Sequence, residues 1–584
     1  MESYNYSDIQ EVPLGNPRFR AQVERFLQAN GLKMEAMDSY YTISDADGGI
    51  LAGAGLCGDT IKCVAVSESA RCAGLSSPLV SRLVSEAAAA GFDNVKVFTK
   101  PGNAAVFSSL GFRLVGRSPK AVLMENGRGL ALYVEYLASR RTEGRTGVAV
   151  MNANPLTLGH KYLIDKASRS VDRLFVIPVR EDVSMFSYPE RKAMLEEAAK
   201  EFPNVEVLEG SAYSISASTF PSYFLKTRNE ASESQMLLDL DIFASHIAPA
   251  LGAVVRFVGS EPSDALTAAY NEAMRSILPG RGVEVVEIPR LCLSAPSCHS
   301  ERSEESPVSA SAVRKAVDAG SLAGAIGLVP LFSAPYLLAE LAGRALRLEL
   351  EAPLKPGLVG PDGPGAHADM DFGLMSAAVG AIRRSMTAHI DLWKDPVVLG
   401  KAVEVDALAA SGGVNTHRGA IFCLCLVVTS AWRHLLGELP GMDMMQALRE
   451  LIPGAASAVV PSIDTHGGMA VNRYGVKGAL QMALDGYRPL FEDWLPYYRS
   501  VEGEEYALQK TLLRIMSSLD DTCIIHRRSL ERAREVKREA ASLLGNFSAE
   551  GLKEMNRRFS EEGISPGGCA DMLSLTLMAR SLEI

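Results

Sequence analysis

Four short stretches of this chain carry residue types that could do chemistry. In Val148-Ala-Val-Met-Asn-Ala-Asn-Pro-Leu-Thr-Leu-Gly-His-Lys161 an apolar run meets a Pro/Gly turn, and His160 follows at the start of a helical pattern. A helix N-terminus presents unpaired N–H donors and partial positive charge, so a phosphate settles there. Gly159 lets the backbone approach closely, and a His at the helix start can donate to charge developing on a phosphate. The plain alternative is a turn that simply joins a strand to a helix. Farther on, Pro307-Val-Ser-Ala-Ser-Ala-Val-Arg314 puts Ser309 at a helix N-cap, with Ser311 in the same turn and the planar fork of Arg314 one turn later. His367-x-Asp369-x-Asp371 places one imidazole and two carboxylates within five residues. Two readings stay open for it: carboxylates that hold Mg²⁺ together with substrate phosphates and waters, or caps of a helix that begins there. If the segment itself opens a helix, His367 and Asp371 share a face and Asp369 turns away. Gly412-Gly413 with Asn415, His417 and Arg418 could hold a nucleotide, whereas His389 and His434 read as structural.

A chain of 584 residues exceeds one hydrophobic core, and its length suggests roughly three or four domains. Its 47% hydrophobic and 22% charged residues are ordinary for globular proteins. A net charge of -10 argues against nucleic acid as a main partner, since phosphate backbones need a basic face, yet it allows a local nucleotide pocket. The nine Cys lack paired metal spacing, and Cys423 and Cys425 read as buried thiols. With no disulfide framework, a polar opening Met1-Glu-Ser-Tyr and a longest apolar run of only Ala420 to Val428, a soluble, cytoplasmic protein with no membrane partner is expected.

Three segments with different patterning must position the reactive residues. Residues 1–140 alternate helix and strand: a helix from Arg20 to Ala29, hairpin strands at Tyr40 to Ile43 and Ile50 to Ala54, a strand from Ile61 to Val66, and a helix from about Pro78 to Ala90. Residues 141–335 continue with strands at Leu174, Val205, Val254 and Val283 separated by helices, which predicts a parallel sheet with ligands beyond its carboxyl ends. Residues 336–584 are predicted all-α, with helices over Ala334 to Leu350, Phe372 to Met386, Gly419 to Leu436, Tyr506 to Ser518 and Leu530 to Leu544. Their polar residues gather in apparent connections, among them Asp520-Asp521-Thr522 and Ser565-Pro-Gly-Gly-Cys-Ala-Asp571.

The order of elements in the first segment resembles the acyl-CoA-binding core of the GNAT acetyltransferases. Arg71-x-x-Gly74-x-Ser76 resembles their pyrophosphate-wrapping loop, with Ser in place of the final Gly, and Asn103 to Phe112 resembles a later element of that fold. The resemblance implies acyl transfer, binding of a pantetheine-like arm or partner, or a scaffold. Thr157-Leu-Gly-His160 matches the T/H-x-G-H motif of nucleotidylyltransferases, and Ser309 to Arg314 resembles their I-S-x-x-x-R element. Together with Lys62 to Val66, Phe98 to Pro101, Asn154 to His160, Thr219 to Lys226, Phe257 to Pro262 and Tyr270 to Met274, residues 1 to about 330 closely resemble the citrate lyase ligase family. That resemblance implies ATP-dependent activation of acetate to acetyl-AMP and its transfer to the prosthetic group of the citrate lyase acyl-carrier subunit. Asn154, Thr157, Gly159, His160, Ser309, Ser311 and Arg314 would bind ATP. A polar insertion, Ser297 to Ser306, precedes the Arg314 element and reads as a mobile loop.

The third segment resembles triphosphoribosyl-dephospho-CoA synthase through Lys355-Pro-Gly, Gly365-Ala-His-x-Asp-Met-Asp371, Gly413 to Phe422, Tyr474 to Gly478 and Ser565 to Asp571. It implies that the ribose of ATP, with loss of adenine, is joined to the 2′-hydroxyl of 3′-dephospho-CoA. That chemistry needs a base, stabilisation of a cation-like ribose and Mg²⁺ on the triphosphate. The resemblance offers Asp369, Asp371, Asp521 and Asp571 for those tasks, and Lys355, Gly413, Asn415, His417 and Arg418 for phosphates and nucleotide. Arg527-Arg-Ser529 stands where the family has Arg-Gly-Gly. The expectation is therefore a bifunctional maturation enzyme for citrate lyase. The alternatives are a plain pantetheine-type adenylyltransferase fused to the synthase, and a non-catalytic scaffold that docks the carrier.

Overall fold

The computed structural model describes residues 9–583 apart from 72, 181–183, 215–219, 221–223, 226–227, 262–263, 294–305 and 461–465. Most of the insertion expected at Ser297 to Ser306, and parts of the Thr219 to Lys226 and Phe257 to Pro262 stretches, lie outside the described residues. The chain forms two compact units, Met1–Asn154 with Gly159–Val308 and Pro155–Leu158 with Ser309–Ile584.

The first unit opens with a GNAT-like α/β domain: β1 (Gln10–Glu11), α1 (Pro17–Ala29), β2 (Ser39–Ser44), β3 (Ile50–Cys57), β4 (Thr60–Val66), α2 (Ser76–Ala89), β5 (Val95–Thr99), α3 (Ala104–Ser109), β6 (Arg113–Arg117), β7 (Val122–Asn126) and α4 (Gly129–Ala138). Its seven-stranded sheet runs β1-β2-β3-β4-β5-β7-β6. All neighbours are antiparallel except β4 and β5, which are parallel and pair only at Thr60–Lys96 and Ile61–Val97. β4 alternates buried and half-buried residues, the period-2 pattern of a strand with unlike faces. On one face α2 packs Leu79, Val80, Leu83 and Ala87. The helix begins at Ser76, two residues before the expected Pro78, so Ser76 lies in its first turn.

The same unit continues with β8 (Thr146–Met151), α5 (Leu158–Ser168), β9 (Arg173–Pro178), α6 (Tyr188–Ala199), β10 (Val205–Val207), α7 (Arg228–Ile242), α8 (Ala248–Leu251), β11 (Ala253–Gly259), α9 (Ala265–Ile277), β12 (Glu284–Ile288) and a short antiparallel pair, β13 (Cys292–Leu293) and β14 (Ser306–Pro307). The five strands β10-β9-β8-β11-β12 are all parallel, which makes a Rossmann-like sheet. The run Leu174-Phe-Val-Ile177 is fully buried, as a strand covered on both faces requires. One apolar cluster links Tyr40, Cys63, Phe98 and Leu123 of the GNAT-like sheet to Val148, Phe175, Leu238 and Ile242. The two α/β domains thus share a core.

The second unit is helical: α10 (Ala310–Asp318), α11 (Ala323–Ile326), α12 (Ala334–Glu351), α13 (Phe372–Ala388), α14 (Pro396–Ala410), α15 (Arg418–Leu435), α16 (Met444–Ser457), α17 (His466–Tyr474), α18 (Ala479–Leu484), α19 (Leu495–Val501), α20 (Ala507–Ser518), α21 (Thr522–Arg527), α22 (Leu530–Gly545), α23 (Ala549–Glu562) and α24 (Gly567–Ser581). Helices α12, α15 and α24 are buried almost all round, as central helices of a bundle must be. One expectation is corrected here. Ser565 to Asp571 is not a connection throughout, because α24 starts at Gly567 and Asp571 lies within it. Among the described residues no helix is long and apolar enough to cross a membrane.

Candidate active sites

In the parallel sheet β8 lies between β9 and β11, so the chain leaves it in one direction and returns on the other side. A crevice opens beyond the strand ends at such a point. The turn after β8 is Asn152-Ala153-Asn154, and Ala153 has φ +48, a left-handed conformation that costs a residue with a Cβ. Arg191 of α6 holds this turn in place. It is wholly buried and donates to the Asn152 carbonyl at 2.8 Å, the Asn152 side chain at 2.6 Å, the Val179 carbonyl at 2.9 Å and the Phe186 carbonyl at 3.0 Å. One guanidinium therefore fixes the loop that follows β8 and both ends of the loop that joins β9 to α6. Asn154, 8% exposed, accepts from the Phe186 N–H at 3.1 Å and strengthens the same junction.

His160 is the third residue of α5. Burial pushes its imidazole down to about 4, and the charge of Arg290 adds to the shift. At neutral pH the ring is uncharged and can donate one hydrogen bond. Arg290 follows β12 and is itself held at the sheet's carboxyl end, donating to Glu261 at 2.5 Å while its N–H reaches the Ser260 hydroxyl at 2.9 Å. Thr157 is buried. In the second unit Ser309 caps α10, accepting from the Ala312 N–H at 3.1 Å with its hydroxyl 3.1 Å from that of Ser311, and Arg314 is half-buried on the same helix.

In the GNAT-like loop Arg71 is exposed and 3.6 Å from Glu68, Gly74 has φ +69, and Ser76 starts α2. A backbone turned left-handed at Gly74 ahead of a helix N-terminus presents N–H groups to an anion.

The second unit concentrates charge around the first turn of α15. Lys355 and Glu349 form an ion pair at 2.6 Å with side chains only 1% and 5% exposed. His417, 5% exposed, precedes α15; its Nδ1 is 2.9 Å from the Thr416 hydroxyl and its buried Nε2 has no hydrogen-bond partner among the described residues. Burial first, then the Lys355 charge, pushes His417 down to about 4. Asp521 caps α21, accepting from Cys523 N at 2.8 Å and Ile524 N at 3.2 Å, and its second oxygen accepts from Cys569 N of α24 at 2.8 Å. Asp571 lies against the first turn of α15, beside Gly419 and Ala420, and stays partly exposed. Gly419 is needed there, since a Cβ would collide with the Asp571 carboxylate.

Of the remaining candidates on this unit, Arg418 opens α15 itself. Asp371 is the N-cap of α13, accepting from Leu374 N at 2.8 Å, and Asp369 is exposed. The helix starts only at Phe372, so His367 and Asp371 do not share a helical face. His367 Nε2 lies 2.8 Å from the buried Ser565 hydroxyl, and Arg527 donates to its Nδ1 at 3.3 Å. Arg418 is exposed and pairs with Glu404 at 2.9 Å; Gly413 (φ +90) and Asn415 are exposed beside it. Among the described residues no group of three or more His, Cys, Asp or Glu is arranged to hold a metal.

Sequence reasoning passed over Arg191, Arg290 and the role of Glu349. For Arg191 and Arg290 no local signal distinguishes them from surface arginines. Glu349 had one: a carboxylate near the end of a helix otherwise packed with Leu and Ala.

Residues 146–337 match the sequence model of the citrate lyase ligase C-terminal domain, and residues 335–584 match that of ATP:dephospho-CoA triphosphoribosyl transferase. The chain is similar to the citrate (pro-3S)-lyase ligase of Klebsiella pneumoniae, 37% identical over 326 residues, which covers 55% of this chain and 92% of the relative. The ligase of the same name from Escherichia coli (strain K12) is 36% identical over 325 residues, covering 54% and 90%. A protein of Stutzerimonas stutzeri (strain A1501) named "Probable 2-(5''-triphosphoribosyl)-3'-dephosphocoenzyme-A synthase" is 35% identical over 266 residues, covering 42% of this chain and 91% of that one.

Proposed function

Because the chain belongs to the citrate lyase ligase family over its first part and to the ATP:dephospho-CoA triphosphoribosyl transferase family over its last, we propose that it is a bifunctional maturation enzyme for citrate lyase. The observation that carries this reading is the double match, each half spanning about nine tenths of a separate relative. We assign residues 1–140 to a GNAT-like domain that binds the pantetheine-like arm or the partner, 141–335 to the acetate-activating domain, and 336–584 to the synthase.

In the ligase half, acetate attacks the α-phosphate of ATP, pyrophosphate leaves, and the acetyl group passes from acetyl-AMP to the thiol of the carrier's prosthetic group. Neutral His160 donates to the charge growing on the α-phosphate, at the mouth of the crevice that Arg191 and Asn154 hold open. The family resemblance assigns ATP binding also to Gly159, Thr157, Ser309, Ser311 and Arg314. Arg71, Gly74 and Ser76 receive the pyrophosphate of the arm.

In the synthase half the 2′-hydroxyl of 3′-dephospho-CoA attacks C1′ of the ATP ribose and adenine leaves. Asp521 and Asp571 work at the reacting centre, while Lys355, Gly413, Asn415, His417 and Arg418 serve the nucleotide and its phosphates. Asp369 and Asp371 would hold Mg²⁺. Two carboxylates suit this ion only if triphosphate oxygens and waters complete its shell, and Asp371 also serves as a helix cap. When bound, Mg²⁺ neutralises charge on the triphosphate. Mass spectrometry of the acyl-carrier subunit after incubation with ATP and acetate tests the first activity. A carrier that gains no acetyl group would overturn it. Adenine release from ATP and 3′-dephospho-CoA tests the second.

A further inference from the structure

We propose that Asp571 is the proton donor to the departing adenine in the synthase half. This deepens the synthase reading above and rests on it.

The geometry separates two neighbouring carboxylates into unlike roles. Asp521 is 2% exposed and takes three main-chain N–H donors from two helix starts. Burial raises Asp521 too, and these donors work against that rise and favour its ionised form. Asp571 has no such set of donors among the described residues, with only the Ala420 N–H nearby to favour its charge, and it is the member of the pair still open to an incoming ligand. Close carboxylates do not both ionise readily, and the charge stays on the one that holds the N–H donors. The proton therefore resides on Asp571. Its acidity agrees: burial first, then the charges of Asp521 and Glu349, push it well above the usual carboxylate range. The groups that face it from the surrounding elements are Asp521, Glu349, Cys423, Tyr487, Cys523 and Cys569, none of them cationic. Lys355 is committed to Glu349. A second observation marks this corner as built for a ligand. The Nε2 of His417, two residues before the Gly419 that abuts Asp571, is buried and has no hydrogen-bond partner among the described residues.

A protonated carboxyl meets what the reaction needs. Adenine is a poor anionic leaving group, so cleavage of C1′–N9 is helped by protonation of a ring nitrogen. Asp571 gives its proton to adenine N7 as the C1′–N9 bond breaks and its electron pair moves onto the base, which leaves neutral. The C1′–O bond forms with the 2′-hydroxyl, whose proton passes to water, and water returns a proton to Asp571. General acid catalysis of this kind is worth on the order of 10²–10⁴ in rate.

The test compares leaving groups on the full chain, with 3′-dephospho-CoA as acceptor. The Asp571→Asn variant should lose adenine release by at least about 10²-fold, yet keep near-normal release of nitrophenolate from 1-O-(4-nitrophenyl)ribose 5-triphosphate, which needs no proton. Equal loss on both substrates would show a structural role and overturn the proposal, as would normal adenine release. A second measurement needs no variant. Wild-type enzyme should turn over 7-deaza-ATP, which lacks N7, at least about 10²-fold more slowly than ATP. Comparable rates would also overturn it. Wild-type protein that releases no adenine from ATP would instead refute the synthase reading itself.

Discussion

The hydroxyl of Tyr213 donates a 2.5 Å hydrogen bond to the buried carboxylate of Glu125, 88 residues earlier in the chain. Glu125 also accepts from Asn94 Nδ2 and from the Leu130 N–H, each at 3.0 Å. Tyr213 lies in the loop after β10, stacks on Tyr133 with ring centroids 6.1 Å apart, and has Lys96 5.7 Å from its centroid. The GNAT-like sheet is thereby fastened to the carboxyl end of the parallel sheet. Tyr213→Phe should lower stability by about 2 kcal/mol, the usual worth of a hydrogen bond to a charged group. Urea unfolding checks this, and an unchanged midpoint would show that the bond contributes nothing.

His160→Ala should reduce acetate-dependent pyrophosphate release by about 10²–10³-fold and leave adenine release intact. The pH dependence follows from the lowered imidazole. Free histidine titrates at 6.5 and His160 at about 4, so the ring stays neutral from pH 8 down to 5. Ligase activity should show no step near 6.5, and should fall only as pH approaches 4. A rate that halves between pH 7 and 6 would contradict a neutral donor.

Lys355→Met strands the Glu349 carboxylate without its partner in a buried site. The expected cost is about 3–5 kcal/mol. A Lys355→Met/Glu349→Leu double variant should recover much of that stability without recovering adenine release. Thermal unfolding of the three proteins side by side decides it, and a single variant as stable as wild type would be the contrary result.

Asp371→Asn should keep the cap of α13, because Asn caps as well as Asp, while Asp371→Ala should lose about 1 kcal/mol. If Asp369 and Asp371 hold Mg²⁺, the Asp369→Asn/Asp371→Asn protein will need more Mg²⁺ for half-maximal adenine release while its unfolding midpoint stays put. Unchanged Mg²⁺ dependence would leave capping as the whole role of Asp371.

Patterning made the architecture legible where one period dominated. The apolar strands at Leu174 and Val254 and the long helices at Ala334, Phe372 and Arg418 lie within one or two residues of expectation. Helices α14, α16 and α23 were not singled out, and α24 was obscured because Pro566-Gly567-Gly568 reads as a turn. There glycine opens a helix because α24 starts against crowded neighbours: a Cβ on Gly568 would lie 3.1 Å from Asp521. The motif loops gave the candidate residues but not their state. That Lys355 is already paired, that Asp371 caps a helix and that Arg191 is wholly buried depend on residues distant in sequence or on packing, which no local window contains.

Ala153 carries a further consequence. Its left-handed backbone sits one residue from the two side-chain anchors, Asn152 and Asn154, that shape the turn after β8. Glycine at this position would relieve the strain, yet it would also free the turn to sample other shapes before ATP arrives. The protein thus keeps a locally uncomfortable residue where comfort would blur the geometry, and selection for heat resistance and selection for turnover would pull this one side chain in opposite directions.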